Sequence, residues 1–131
     1  MYKRQEEAAY KLVLLRHGES QWNLEKRFTG WSDVDLTDKG RAGAVKAGEI
    51  MKGAGVNFDE VHTSKLNRAI ETAQLAQKGM SAQWLPLQKY WRLNERCYGD
   101  LEGKKREDVA KEVDDDQVKS GEEALMFRRL P

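Results

Sequence analysis

KLVLLRHGESQWN, residues 11–23, is the stretch on which the fold turns. Four consecutive apolar residues, Leu12 to Leu15, follow Lys11 and stop at Arg16-His17-Gly18. A short apolar run of this kind matches a strand buried on both faces, as in a parallel sheet. Lys11–Leu15 is therefore expected as the first strand. His17 would then stand at its carboxyl end, the edge at which open α/β sheets bind ligands.

Outward from that strand, residues 18–36 have no clear period, with Trp22, Phe28 and Trp31 among polar residues, and are expected to form a long functional loop. Thr37 suits a helix N-cap, with Asp38 in the first turn where a negative charge meets the positive end of the helix dipole. The helix is expected to run to about Lys52, with Ala47, Ile50, Met51 and Ala54 on its apolar face and Gly53 and Gly55 ending it. Phe58–Thr63 reads as a second strand. A second helix is expected from Ser64, with Leu66, Ala69, Ile70 and Ala73 along one face and Gly79 as its stop. Trp84–Leu87 reads as a third strand, weakened by Pro86. Alternating strands and helices of this order predict an α/β fold with a parallel sheet.

Beyond Leu93 the pattern changes. Lys104–Val113 reads as a polar helix, Asp114-Asp115-Asp116 as a solvated acidic turn, and Ser120 with Glu123 as a capping box for a last helix. No internal repeat or low-complexity segment is present. The chain stops at Phe127-Arg128-Arg129-Leu130-Pro131, an unusual end for a helix, and three short strands make a small sheet with exposed edges. The expectation is part of a larger protein.

Bulk properties narrow the function. The chain has 131 residues, enough for one domain, and its 23 basic and 22 acidic residues leave a net charge of +1. That balance argues against a nucleic-acid or membrane-surface binder. With 39% hydrophobic and 34% charged residues it fits a polar globular protein. A single cysteine excludes an internal disulfide and makes a cytoplasmic location the default. No apolar run approaches the ~20 residues of a membrane span, and residues 1–10, MYKRQEEAAY, lack the apolar core of a secretory signal and read as a lead-in to the first strand.

Three clusters carry candidate chemistry. At Arg16-His17-Gly18, a neutral imidazole is a competent nucleophile toward phosphorus, and neighbouring arginines disfavour its protonation. Gly18 would let the backbone approach a ligand closely. The alternative is a histidine packed at a strand end and satisfied by one backbone bond. Arg68, one turn inside the second helix, could grip two phosphate oxygens at once; alone, such an arginine is more often a surface ion-pair partner. Glu95, after the third strand, could exchange a proton with an attacking or departing oxygen, or it could simply pair with Arg92 or Arg96.

The segments KLVLLRHGESQWNLEKRFTGWSDVDLTDKG, HTSKLNRAIETA and WLPLQKYWRLNERCYGDLEG closely resemble the cofactor-dependent phosphoglycerate mutases of the histidine phosphatase superfamily. The resemblance spans about Lys11 to Gly103 and returns at Arg128-Arg129; RHGE marks the superfamily, and FTGW with RLNER points to the mutase branch. It implies a three-layer α/β/α sandwich with a mainly parallel sheet, incomplete at its C-terminal side. It further implies that His17 becomes phosphorylated, that Glu95 is the general acid/base, and that Arg16 and Arg68 hold the transferring phosphoryl group without a metal. Gly18, Glu19, Ser20, Gln21, Trp22, Asn23, Thr29 and Gly30 would line the substrate pocket with Arg96 and Cys97. Tyr98, Arg106, Arg128 and Arg129 would fix the carboxylate and the non-reacting phosphate. The implied substrates are 3-phosphoglycerate and 2-phosphoglycerate of glycolysis and gluconeogenesis, with 2,3-bisphosphoglycerate as primer and a homo-oligomer, dimer or tetramer, as the assembly.

Three departures from that family stand out. Cys97 replaces the usual histidine of RLNERHYG, and the segment between Arg106 and Arg128 is longer than usual. The second histidine of the family, in a strand ending HGNS, has no counterpart: the chain contains only His17 and His62. His62 lies in a strand where relatives carry an aromatic residue. These features leave three functions open: the N-terminal part of a mutase, weak or inert by itself; a histidine-type phosphatase of small phosphorylated metabolites; or a phosphate- or partner-binding fragment using Trp22, Trp31 and Trp91 as a surface.

Overall fold

Thr37 begins the helix that organises the rest. Its hydroxyl accepts the Gly40 amide at 3.1 Å, and its own amide donates to the Glu19 carbonyl at 2.9 Å. In the computed structural model, which describes residues 10–112, helix α2 runs Asp38–Gly53 and Gly55 follows at φ +73°, a conformation that favours glycine. A short helix α1, Gln21–Leu24, precedes it within the 18–36 loop, and strand β1, Val61–Thr63, follows. Helix α3 is Asn67–Gly79, β2 is Leu87–Lys89 and α4 is Arg106–Glu112. β1 and β2 pair in parallel in the register Val61–Leu87, His62–Gln88 and Thr63–Lys89, so the architecture is α/β with a small parallel sheet.

α2 and α3 pack backbone against backbone. A Cβ on Gly48 would stand 2.0 Å from the Ala76 carbonyl oxygen, and one on Gly79 would stand 2.1 Å from that of Val45. The buried residues of α2 are Gly40, Ala44 and Gly48, and those of α3 are Arg68, Thr72, Ala76 and Gln77; Gly48 meets Ala76 across the helix contact, while Gly40 packs on the Glu19 backbone. The expected apolar faces are thus corrected. Ile50 is exposed, Ala54 caps the helix end, and Ala69, Ile70 and Ala73 are only half-buried. Close approach rewards small side chains over large apolar ones.

α3 also starts later than expected. Ser64 bends back to accept the Leu66 amide, and the first helical residue, Asn67, donates its amide to Asp33 at 2.7 Å and its side-chain nitrogen to the same carboxylate at 2.8 Å. A carboxylate from a distant loop does the capping that no local side chain performs. β2 is displaced in turn from the expected Trp84–Leu87. Gln77 donates to the carbonyls of Ala82 and Leu85 and holds them in a turn. Pro86 lacks an amide but accepts from Val61. The ladder therefore begins only after it.

The expected first strand differs most. Among the described residues Lys11–Leu15 has no strand partner, and Leu12 and Leu14 are 83% and 86% exposed. A cleft of about 1000 Å³ lies between this segment and the side formed by β1 and α3, lined by Phe58, Val61, Ala73 and Met80. Phe28, Tyr98 and Val109 form a small core, the two rings 5.1 Å apart.

The expected polar helix forms as α4 from Arg106. An antiparallel bridge between Arg27 and Lys105 and a hydrogen bond from the Arg106 amide to the Lys26 carbonyl set it in place. Val113, the acidic turn, the last helix, Arg128, Arg129 and the lead-in up to residue 9 lie outside the described residues. Among the described residues, no helix is long and apolar enough to cross a membrane.

Candidate active site

His17 leaves the 11–15 segment with its ring half-buried, and its Nδ1 stands 2.6 Å from the carbonyl oxygen of Gly18. A carbonyl only accepts, so Nδ1 carries the proton and Nε2 keeps its lone pair. Burial lowers the pKa of His17. The Gly18 bond and Glu95 oppose that shift, while the charges of Arg68 and Arg16 add to it. The ring is therefore held neutral, the form in which Nε2 is a nucleophile.

Backbone contacts fix this position. The Gly18 amide donates to the Thr72 hydroxyl at 3.1 Å, and that hydroxyl donates to the Arg68 carbonyl at 2.7 Å. Gly18, next to the histidine, and Arg68 thus share one buried threonine. Gly18 was expected to make room for a ligand. The space beside it is instead taken by α2, since a Cβ there would lie 2.3 Å from the Gly40 carbonyl oxygen.

Arg68 is 2% exposed, and its terminal nitrogens donate to the carbonyls of Gly30 at 2.6 Å and Ser32 at 2.8 Å. Burial lowers its pKa, and the negative charges of Glu95, Asp33 and Glu102 oppose the shift. Glu95 is exposed and accepts the Arg96 amide at 3.0 Å. Arg96 donates to the Tyr98 hydroxyl at 2.9 Å. Arg106 lies over the Phe28 ring, 4.3 Å from its centroid.

A cavity of about 510 Å³ collects ten of the sequence-selected residues: Arg16, His17, Asn23, Thr29, Gly30, Arg68, Glu95, Arg96, Tyr98 and Arg106. The other selected residues among those described stand elsewhere. Glu19 accepts from the Thr37 hydroxyl, Ser20 caps α1 in a reciprocal pair with Asn23, and Gln21 donates to Glu25. Trp22 packs on Gly103, and the Cys97 thiol donates to Glu102 at 3.5 Å. His62 is exposed on β1, stacked on Tyr90 and 3.0 Å from a Glu60 oxygen.

Sequence reasoning missed five residues of the cavity wall: Glu25, Lys26, Arg27, Lys105 and Glu107. Lys26 adopts φ +55°, a strained conformation for a side chain of its size. The Arg27–Lys105 bridge joins positions far apart in sequence, so no local pattern announces them. They raise the wall to seven basic residues against three acidic ones. Such a surface concentrates polyanions, and a neutral imidazole on it can accept a phosphoryl group. Among the described residues no cluster of metal-ligating side chains occurs.

Comparison with known proteins places the chain in a family. Residues 12–128 match the model of the histidine phosphatase superfamily (branch 1). The 2,3-bisphosphoglycerate-dependent phosphoglycerate mutase of Bacteroides fragilis is 55% identical over 119 residues, 91% of this chain. The chain spans 46% of that protein's length. Among solved structures, phosphoglycerate mutase from Bacillus anthracis str. Sterne superposes with a TM-score of 0.68 at 33% identity, covering 72% of this chain and 41% of the other. A phosphoserine phosphatase from Entamoeba histolytica, solved with 3-phosphoglyceric acid, gives a TM-score of 0.66 at 31% identity over 81% of this chain and 50% of the other. A nucleophile-ready imidazole among arginines, in a chain matched over nearly all its length by one family model, leads to one conclusion: the chain belongs to the histidine phosphatase superfamily, branch 1.

Proposed function

We propose that the chain is the phosphate-accepting part of a 2,3-bisphosphoglycerate-dependent phosphoglycerate mutase, which interconverts 3-phosphoglycerate and 2-phosphoglycerate. All 131 residues would belong to one mutase-like domain, its N-terminal part. The observation that carries this reading is His17 itself: Nδ1 is committed to the Gly18 carbonyl, and Nε2 is free to act within a wall of seven basic residues.

In this reading Nε2 attacks phosphorus and forms an N–P bond, while the P–O bond to the glycerate oxygen breaks. Glu95 gives that oxygen its proton. Arg16 and Arg68 neutralise charge on the transferring group, the main task of a protein in phosphoryl transfer. Arg106 and Tyr98, with Arg128 and Arg129, would hold the carboxylate and the distal phosphate. The fit to 2,3-bisphosphoglycerate is one of charge and size: a small, densely anionic three-carbon acid suits a 510 Å³ cavity rich in cations. When bound, it supplies the phosphoryl group that loads His17. A phosphohistidine enzyme of this kind would work in the cytoplasm, without a metal, as a homo-oligomer.

The test is to incubate the chain with 2,3-bisphosphoglycerate and locate acid-labile phosphate by mass spectrometry, with conversion of 3-phosphoglycerate followed in parallel. Phosphate on His17, absent from His17→Ala, together with weak conversion, is the expected result. Absence of label from the unmutated chain, or label that persists in the variant, would sink the reading. Release of inorganic phosphate without 2-phosphoglycerate would point to the phosphatase alternative. The similarity to a phosphoserine phosphatase favours keeping that alternative in view.

A further inference from the structure

We propose that Glu102 is a positioning residue of this anion site: it sets where the Arg68 guanidinium stands by gripping, from the opposite side, the loop that Arg68 itself holds. The proposal rests on the cavity being a phosphoryl-binding site and assigns a task to a residue outside the cavity wall.

Segment 30–32 lies between the two charges. Its carbonyls turn toward Arg68, which donates to Gly30 at 2.6 Å and Ser32 at 2.8 Å. Its donors turn toward Glu102. Oε1 accepts the Trp31 amide at 2.9 Å, and Oε2 accepts the Ser32 hydroxyl at 2.8 Å. Gly30 makes this possible, because a Cβ there would stand 2.3 Å from Glu102 Oε1 and the residue sits at φ +57°. The same Oε1 also accepts the Tyr98 amide at 3.2 Å and the Cys97 thiol at 3.5 Å. One carboxylate thus ties the loop that anchors Arg68 to the loop that carries Glu95.

Burial alone would raise the Glu102 carboxyl, but the donors from Trp31, Ser32, Tyr98 and Cys97 outweigh it and hold the group below its ordinary value. It is therefore ionised at neutral pH and accepts at both oxygens. Arg68 has little freedom of its own, since both terminal nitrogens are committed to backbone carbonyls. Any shift of segment 30–32 carries the guanidinium with it, and a displacement on the scale of an ångström is enough to weaken recognition of a phosphoryl group.

The test uses the full chain and orthovanadate, a mimic of the transferring phosphoryl group, with affinity measured by calorimetry. Glu102→Ala is expected to weaken vanadate binding about tenfold, and Glu102→Gln, which keeps an acceptor at Oε1 and can donate to Ser32, to stay within about threefold of the parent. If Glu102→Ala unfolds the protein, Glu102→Asp replaces it: the charge is kept, the reach is lost, and the same weakening is expected. In an Arg68→Lys background the Glu102→Ala penalty should shrink below about twofold, because residues acting through one another are not additive.

Unchanged affinity in Glu102→Ala or Glu102→Asp, or an equal penalty in both backgrounds, overturns the proposal. If the unmutated chain binds no vanadate, the phosphoryl-site reading falls instead. Hydrogen exchange then decides the clamp by itself. Faster exchange at the Trp31 and Tyr98 amides in Glu102→Ala, restored toward the parent in Glu102→Gln, supports it, and unaltered exchange refutes it.

Discussion

At the scale of single residues, the proposed chemistry depends on keeping one imidazole neutral. Burial is the largest cause of its lowered pKa, followed in that direction by Arg68 and Arg16, and Glu95 pulls the other way. An NMR titration of His17 should therefore give a midpoint below 6.5, the ordinary value. Glu95→Gln should lower it further by removing a stabilising negative charge, and Arg68→Met should raise it by removing repulsion. A midpoint at or above 6.5 in the unmutated chain would contradict this account of the ring. The linkage to folding has a definite sign. The unfolded chain binds the proton more readily, so stability is full above pH 6.5 and falls as pH drops from there through the folded-state pKa.

In the proposed reaction Arg68 would act on rate as well as on the pKa of His17. Arg68→Met should slow transfer of phosphate to His17 by about 10²–10³, the usual loss when one preorganised donor to a developing charge is removed. Rapid-quench measurement of phosphohistidine formation checks this. Arg16, His17, Arg68 and Glu95 were all legible, because each follows a strand-like run or lies in a quoted motif. Glu102 and Lys26 were not. The first acts through segment 30–32, the second reaches the cavity through an unusual backbone angle, and neither property has a sequence signature.

At the scale of elements, the α2–α3 contact carries most of the packing that positions α3 and thus Arg68. Gly48 meets the Ala76 carbonyl, whereas Gly43 on the same helix has nothing within 4 Å. Gly48→Ala should destabilise the fold by about 1–3 kcal/mol through overpacking. Gly43→Ala should stabilise it by about 0.5–1 kcal/mol through reduced freedom of the unfolded chain. Urea denaturation of the two variants distinguishes them, and similar effects of equal sign would show that the interhelical approach is not tight. Thr37→Ala should cost about 1 kcal/mol, the worth of an N-cap, and circular dichroism melting measures it. Thr37 was legible because capping is local. The buried faces of α2 and α3 were not, because they follow the backbone of segments distant in the chain rather than the helix's own apolar residues.

At the scale of the whole molecule, the sheet has two paired strands and a third segment, Lys11–Leu15, that stands apart across an apolar cleft. Leu12 and Leu14 face solvent. A contiguous apolar surface of this kind binds hydrophobic dyes. The chain should therefore enhance the fluorescence of anilinonaphthalene sulfonate in its native state, and the double substitution Leu12→Lys with Leu14→Lys should reduce that signal while leaving the urea midpoint unchanged. Equal fluorescence from both proteins would place the dye elsewhere.

The amino-acid sequence by itself determined the helix–strand–helix–strand order from α2 to β2, the cap of α2, the family, and the histidine with its arginines, because these depend on neighbours a few residues away and on short motifs. The tertiary structure alone decided which helix faces are buried, where β2 begins and where Lys11–Leu15 lies. It also decided how Arg27 and Lys105 come to one wall and how Glu102 faces Arg68 across a loop. Those features arise from contacts between positions distant in the chain, where backbone approach, hydrogen bonding and charge are settled only once the elements meet.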